Sequence, residues 1–190
     1  MFEGEPMKKL FPLLLCIVTT LPCFGATLEN VTLPDTVTVG SNNLVLNGIG
    51  LRRKFVIKVY VGGLYLEKKE KDPAAVLRAN KPRRMVFHYL YDVSKDQMCE
   101  MWQDGLADNT PSATGEVKQA FAKLCSWMDG MGKNKMLTLT YVPDEGTSVE
   151  LNGQRKGVLP GKATADAILS IWLGANAAPG RDFKKAVLGD

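Results

Sequence analysis

Residues 44–67 read LVLNGIGLRRKFVIKVYVGGLYLE. Two β-forming runs flank the basic triplet Arg52–Lys54. Leu44–Leu51 and Phe55–Leu66 are therefore expected to pair as an antiparallel hairpin that turns around it. In the second run Phe55, Ile57, Val59 and Val61 alternate with Val56, Lys58 and Tyr60. Strict alternation puts Lys58 and Tyr60 on one face and the apolar alternates on the other. A strand with Lys and Tyr on one side, just after an Arg pair, is either a solvated surface strand or the wall of an anion pocket. The glycines of NGIG and VGG lack the strand–turn–helix setting of a dinucleotide fingerprint.

Upstream, Val31–Leu33 and Thr36–Val39 are short β runs broken by Pro34, and GSNN at 40–43 is a turn cluster. Downstream, Asp72 and Pro73 open a short helix. Arg84–Tyr91 reads as a strand. Ser94 with Gln97 three residues on is a capping box, and Met98, Met101, Trp102 and Leu106 give the helix behind it an apolar stripe. A further helix presents Val117, Ala120, Phe121, Leu124 and Met128, and Gly130 stops it near Asp129. Met136–Val142 and Thr147–Leu151 are strands, and Asn152-Gly153 turns the chain into Arg155–Leu159. Helices over about 162–173 and 179–188 close the chain. Strands, helix, strand, two helices, strands and two helices spell an α+β fold with an antiparallel sheet covered by helices.

Residues 7–25, MKKLFPLLLCIVTTLPCFG, have the layout of a secretory signal. Lys8 and Lys9 precede an apolar stretch too short to span a bilayer, and small residues follow. Met7 reads as the start, with cleavage after Gly25. The chain then divides into an extension with signal, 1–25, and one domain, 26–190. Export predicts a periplasmic or otherwise secreted protein. The 190 residues carry 24 Lys and Arg against 20 Asp and Glu, a net charge of +4. That is too mild and too scattered for a nucleic-acid binder. No other apolar run is long enough for a membrane helix, so no stable span is expected in the mature chain. Cys99 and Cys125 remain after export, either as a disulfide or as two buried thiols. His88 is the single histidine. That leaves no multi-histidine zinc site and no nucleophile-elbow triad, so neither metal, cofactor nor catalytic residue is assigned from the residue types.

The stretch LNGIGLRRKFVIKVYVGGLYLE resembles the strand hairpin of the chalcone isomerase-like superfamily: Gly-x-Gly-x-Arg, a β run, then KVY and GLYLE. The helix DVSKDQMCEMWQDGL and the closing AILSIWLGANAAPGRDFKKAVLG resemble the same family in order, over about residues 44–190. The resemblance is to its secreted bacterial branch. It implies an open-faced antiparallel β-sandwich with helices on one side and a ligand cleft between sheet and helices. Chalcone isomerases use an Arg, matched by Arg52, and a strand Thr, which falls on Tyr60. Their helix Tyr and Asn fall near Val93 and Glu100, and their late Ser or Thr falls on Ala165 beside Thr164. Val93 and Ala165 offer no side-chain donor to a developing oxyanion. The fatty-acid-binding members pair the Arg with a Tyr, as Arg52 and Tyr60 do here. An Arg fork and a phenol suit a carboxylate. The ligand-binding residues implied are Arg52, Arg53, Lys58 and Tyr60, and the ligand implied is a fatty acid or another small apolar carboxylate. An isomerase or lyase on the same fold is the alternative, and a ligand-free structural or partner-binding module is a third. The sequence specifies no protein partner.

Overall fold

The structure, a computed structural model, describes Met1 and residues 25–190; all but Gly25 of the signal read over 7–25 lies outside the described residues. The chain begins with a two-stranded hairpin, β1 (Gly25–Leu28) and β2 (Val31–Pro34). A curled seven-stranded antiparallel sheet follows: β3 (Thr36–Val39), β4 (Asn42–Lys54), β5 (Ile57–Leu66), β6 (Arg83–Tyr89), β7 (Met136–Val142), β8 (Gly146–Leu151) and β9 (Gln154–Leu159). The strands lie in sequence order, so every pairing is with a chain neighbour. Helix α1 (Pro73–Arg78) follows β5. Helices α2 (Lys95–Asn109) and α3 (Gly115–Ser126) follow β6, and α4 (Lys162–Leu173) and α5 (Arg181–Val187) end the chain. This is the α+β arrangement expected.

The first correction concerns the central hairpin. Arg52, Arg53 and Lys54 are strand residues; Lys54 pairs with Ile57, and the turn is Phe55-Val56. Phe55 has a φ of +56°, a left-handed conformation that costs energy in a bulky residue. Further departures from the sequence reading are smaller. Strand β1 was not foreseen, and α3 ends at Ser126, ahead of the expected Asp129.

Two apolar layers flank the sheet. Leu64, Met85, Phe87, Leu137, Leu139 and Val149 face the helices, together with Trp102, Phe121, Ile168 and Trp172. The other face packs Leu44, Leu46, Val61, Tyr65 and Val86 under Val31 and Leu33 of the β1–β2 hairpin. Cys99 on α2 and Cys125 on α3 form a disulfide, with Cα atoms 5.1 Å apart. Ser94 and Gln97 form the capping box, each side chain bonded to the other's backbone N–H.

Glycines of the central hairpin decide how close α5 can come. A Cβ on Gly48 would lie 2.1 Å from the Ala186 carbonyl oxygen, and one on Gly62 would lie 2.6 Å from the Phe183 ring. On the opposite face a Cβ on Gly63 would meet Leu33 at 2.5 Å. NGIG and VGG are therefore packing seats, which explains why they sit in strands without a phosphate-binding turn. Asn47, the extra residue of a β-bulge, fastens the seat. Its amide donates to the carbonyls of Val187 and Glu70, at 2.9 and 3.0 Å, and its side-chain oxygen accepts from the Glu70 N–H at 2.7 Å.

Arg83 holds the far side of the helix layer. It is 5% exposed, donates to Asp166 on α4 at 2.6 Å and to the last carbonyls of α1, and lies over the Tyr141 ring. Sequence reading did not single it out.

Gly48→Ala is expected to lower stability by about 1–3 kcal/mol, the usual cost of overpacking a closed contact. Gly115→Ala, whose Cβ would meet nothing within 4 Å, is the control and should be neutral or slightly stabilising. Denaturant unfolding of both variants checks this. Separately, replacing Cys99 and Cys125 together with Ser should cost roughly 3 kcal/mol, as for a loop of this size, and lower the melting temperature.

Candidate functional site

The site expected from sequence comes together in part. Arg52 on β4 is the cross-strand partner of Tyr60 on β5, and both belong to the helix-facing side of the sheet. Arg53 pairs with Lys58 instead. The change of register between these two pairs leaves Val59 as an extra residue, and such a bulge reverses the alternation of faces. Lys58 and Tyr60 therefore do not share a face, contrary to the strict-alternation reading. Arg53 and Lys58 both bind Glu29 in the β1–β2 turn, at 3.5 and 2.5 Å. Both are more than two-fifths exposed, so these bridges contribute little to stability. They belong to the hairpin side, away from Tyr60.

Tyr60 is 5% exposed. Its ring lies 5.2 Å from Phe87, 5.5 Å from Tyr89 and 5.6 Å from Phe183 on α5, and the Phe87 and Phe183 contacts are edge-on. Such contacts each add about 0.5–1.5 kcal/mol beyond burial. The indole N–H of Trp172 on α4 donates to the Tyr60 hydroxyl at 3.0 Å. A phenol oxygen that accepts one bond still has its own proton to donate. Burial raises the Tyr60 pKa to about 12, with the Trp172 hydrogen bond and the Arg52 charge acting against it. Tyr60 is thus a neutral donor throughout the physiological range. Burial likewise lifts Tyr89, and the nearby Tyr60 adds to the effect.

Trp172 also packs against Phe87 and edge-on against Trp102 of α2, at 4.6 and 5.5 Å. The Trp102 indole N–H is buried and has no acceptor among the described residues. Buried donors without partners are rare and mark places that need an explanation. One face of the sheet thus carries a half-buried guanidinium, a buried phenol and an aromatic floor, with an unpaired indole donor in the adjoining helix layer. The sequence reading found Arg52 and Tyr60 but missed Trp172 and Trp102. Trp172 stood in the quoted closing stretch AILSIWLGANAAPGRDFKKAVLG, yet nothing local tells that its indole reaches back to β5.

The other positions weighed from sequence lie apart from this cluster or lack chemistry. Thr164 and Ala165 are buried on α4, Val93 forms an isolated bridge with Met131, and Glu100 is exposed on α2. Among the described residues no group of three or more His, Cys, Asp or Glu side chains could hold a metal ion. No described helix is long and apolar enough to cross a membrane.

An antiparallel sheet backed by helices, with an Arg–Tyr pair on the helix side, defines the class of the molecule. The model of the chalcone isomerase-like family matches residues 25–189, and the chain belongs to that family. No curated protein matches it. Among solved structures it resembles the crystal structure of the Arabidopsis thaliana fatty-acid-binding protein AtFAP1, with a TM-score of 0.67 and 17% identity. That match covers 84% of this chain and 92% of the other. At that identity the likeness establishes a shared fold.

A Tyr60 pKa near 12 in the folded chain, against about 10 unfolded, means the folded state keeps this proton longer. The stability tied to the neutral phenol is whole below about pH 10 and is lost as pH rises through about 12. At about pH 11 the folded protein should therefore show fewer ionised tyrosines by ultraviolet absorbance than the urea-unfolded chain. Tyr60→Phe should narrow that gap.

Proposed function

We propose that this is an exported, non-catalytic binder of a fatty acid or similar apolar carboxylate. The observation that carries the reading is the Arg52–Tyr60 pair on the helix side of the sheet: a fixed positive charge beside a neutral phenol whose proton is free to be donated. A carboxylate head seated there takes charge-assisted bonds from Arg52 and one bond from Tyr60. The tail extends toward Phe87, Trp172 and Phe183, where each buried methylene contributes about 0.8 kcal/mol. Helix α5 carries Phe183 against Tyr60, so admission of a tail requires α5 to shift on its glycine seat. The resemblance to AtFAP1 supports this class of ligand, and the Cys99–Cys125 disulfide fits an oxidising compartment such as the bacterial periplasm. Isomerase chemistry is disfavoured because Val93 and Ala165 stand where chalcone isomerases have donors.

One observation favours a different reading. Tyr60 is enclosed by three rings and its oxygen already accepts from Trp172, as in a closed core. On that reading the chain is a ligand-free structural or partner-binding module.

Fatty-acid titration by calorimetry separates the two. Wild type should bind. Arg52→Ala should lose about 2–5 kcal/mol if the ion pair is desolvated, and Tyr60→Phe about 0.5–1.5 kcal/mol. Arg53→Ala, on the Glu29 side, should bind as wild type. Equal binding by all four removes the ligand from the Arg52–Tyr60 pair, and no binding by wild type supports the module. A hydroxychalcone assay should show no stereospecific flavanone; robust turnover would restore the isomerase.

A further inference from the structure

The tip of the β4–β5 hairpin has no role in the ligand reading, and its chemistry runs against what a soluble turn requires. A two-residue hairpin loop with positive φ at its first residue favours glycine there. This chain places Phe55 at that position, with a φ of +56°, and Val56 beside it. Both project into solvent, 92% and 90% exposed. Ile57 follows, and Tyr91 is exposed on the segment just past β6, whose Leu90 N–H bonds to the Val59 carbonyl. Apart from Met1 and Met136, these four are the only exposed large hydrophobic side chains among the described residues. Backbone strain and apolar exposure coinciding at one tip are the mark of a surface kept for contact.

The charge around the tip selects the partner. Arg52, Arg53, Lys54 and Lys58 stand within three residues of Phe55-Val56, and no acid lies between Arg52 and Lys58. Glu29 offsets one charge, being shared by Arg53 and Lys58. Among the described residues Lys54 has no carboxylate partner. An apolar point of Phe, Val and Ile collared by cations matches a bilayer with anionic headgroups: the point enters the acyl boundary while the collar meets the phosphates. The long Lys and Arg stems reach headgroup level from just above the apolar layer. An acidic protein groove would meet the collar but gives no reason for a bare, strained aromatic at the summit.

We propose that the Phe55-Val56 tip docks this protein on an anionic lipid surface. Binding is peripheral and reversible, since three apolar side chains fall far short of a spanning segment. Docking sets β4 and β5 against the bilayer, with Arg52 and Tyr60 at the foot of the inserted tip.

The test is co-sedimentation with vesicles of phosphatidylcholine alone and of phosphatidylcholine with phosphatidylglycerol, free of added fatty acid. Its outcome is thus separate from that of the ligand titration. The protein is taken in the same processed form for every variant. Wild type should sediment with the anionic vesicles and not with the neutral ones, and about 0.5 M salt should release it. Phe55→Gly combined with Val56→Asn gives the turn its preferred residues, so the hairpin remains folded, and vesicle affinity should fall about tenfold or more. Lys54→Glu should cause a loss of similar size. The proposal is overturned if wild type ignores anionic vesicles, if the Gly-Asn variant binds as well as wild type, or if the tip variants instead abolish a dimer seen in solution.

Discussion

The contact between α5 and the glycine-floored strands is the constraint on which the helix side of this molecule depends. At Gly48 the strand backbone meets the Ala186 carbonyl, and at Gly62 it takes the Phe183 ring, because neither glycine presents a Cβ. Only at that distance does Phe183 reach the Tyr60 ring and Asn47 the Val187 carbonyl. The closeness has a consequence for chemistry. It strips water from Tyr60, which raises its pKa and keeps it a neutral donor. The motif that marks the family in sequence therefore acts first through packing, and through packing on the electrostatics of the candidate site.

Two β-bulges complete the arrangement. The one at Asn47 turns a polar side chain toward the end of α5 and Glu70, where it satisfies three backbone groups. The one at Val59 separates Lys58 from Tyr60, so that a single strand serves both faces: a salt-bridged edge toward Glu29 and a phenol toward the helices. Had β5 run without the bulge, Lys58 would lie on the Tyr60 face beside Arg52. Arg53 and Lys58 thus turn to Glu29 while Arg52 stays on the Tyr60 side, a division made by a single inserted residue.

Much of this architecture was legible in the sequence where signals are local. The Ser94–Gln97 box, the Asn152-Gly153 turn and the apolar stripes of α2 and α3 each follow from neighbours within a few residues. The Arg52–Tyr60 pairing was legible through the family resemblance. The hairpin turn was misplaced because Arg-Arg-Lys is the more polar triplet, while the actual turn residues, Phe55 and Val56, are strand formers held in a conformation they disfavour. The face of Lys58 was misread because period-two logic has no register for a bulge. Arg83, Trp102 and Trp172 act across long sequence separations, such as the 112 residues between Tyr60 and Trp172. No local window of the sequence contains Arg83 with Asp166 or Trp172 with Tyr60.

The central claim is that the helix side of β4 and β5 holds the carboxylate of an apolar ligand. Native mass spectrometry of the protein as purified from producing cells, followed by lipid analysis of whatever is released, tests it most directly. The account predicts a long-chain monocarboxylate bound at near one per chain, and its loss in Arg52→Ala but not in Arg53→Ala. A wild-type chain that carries no carboxylate lipid and acquires none when fatty acid is supplied would contradict it.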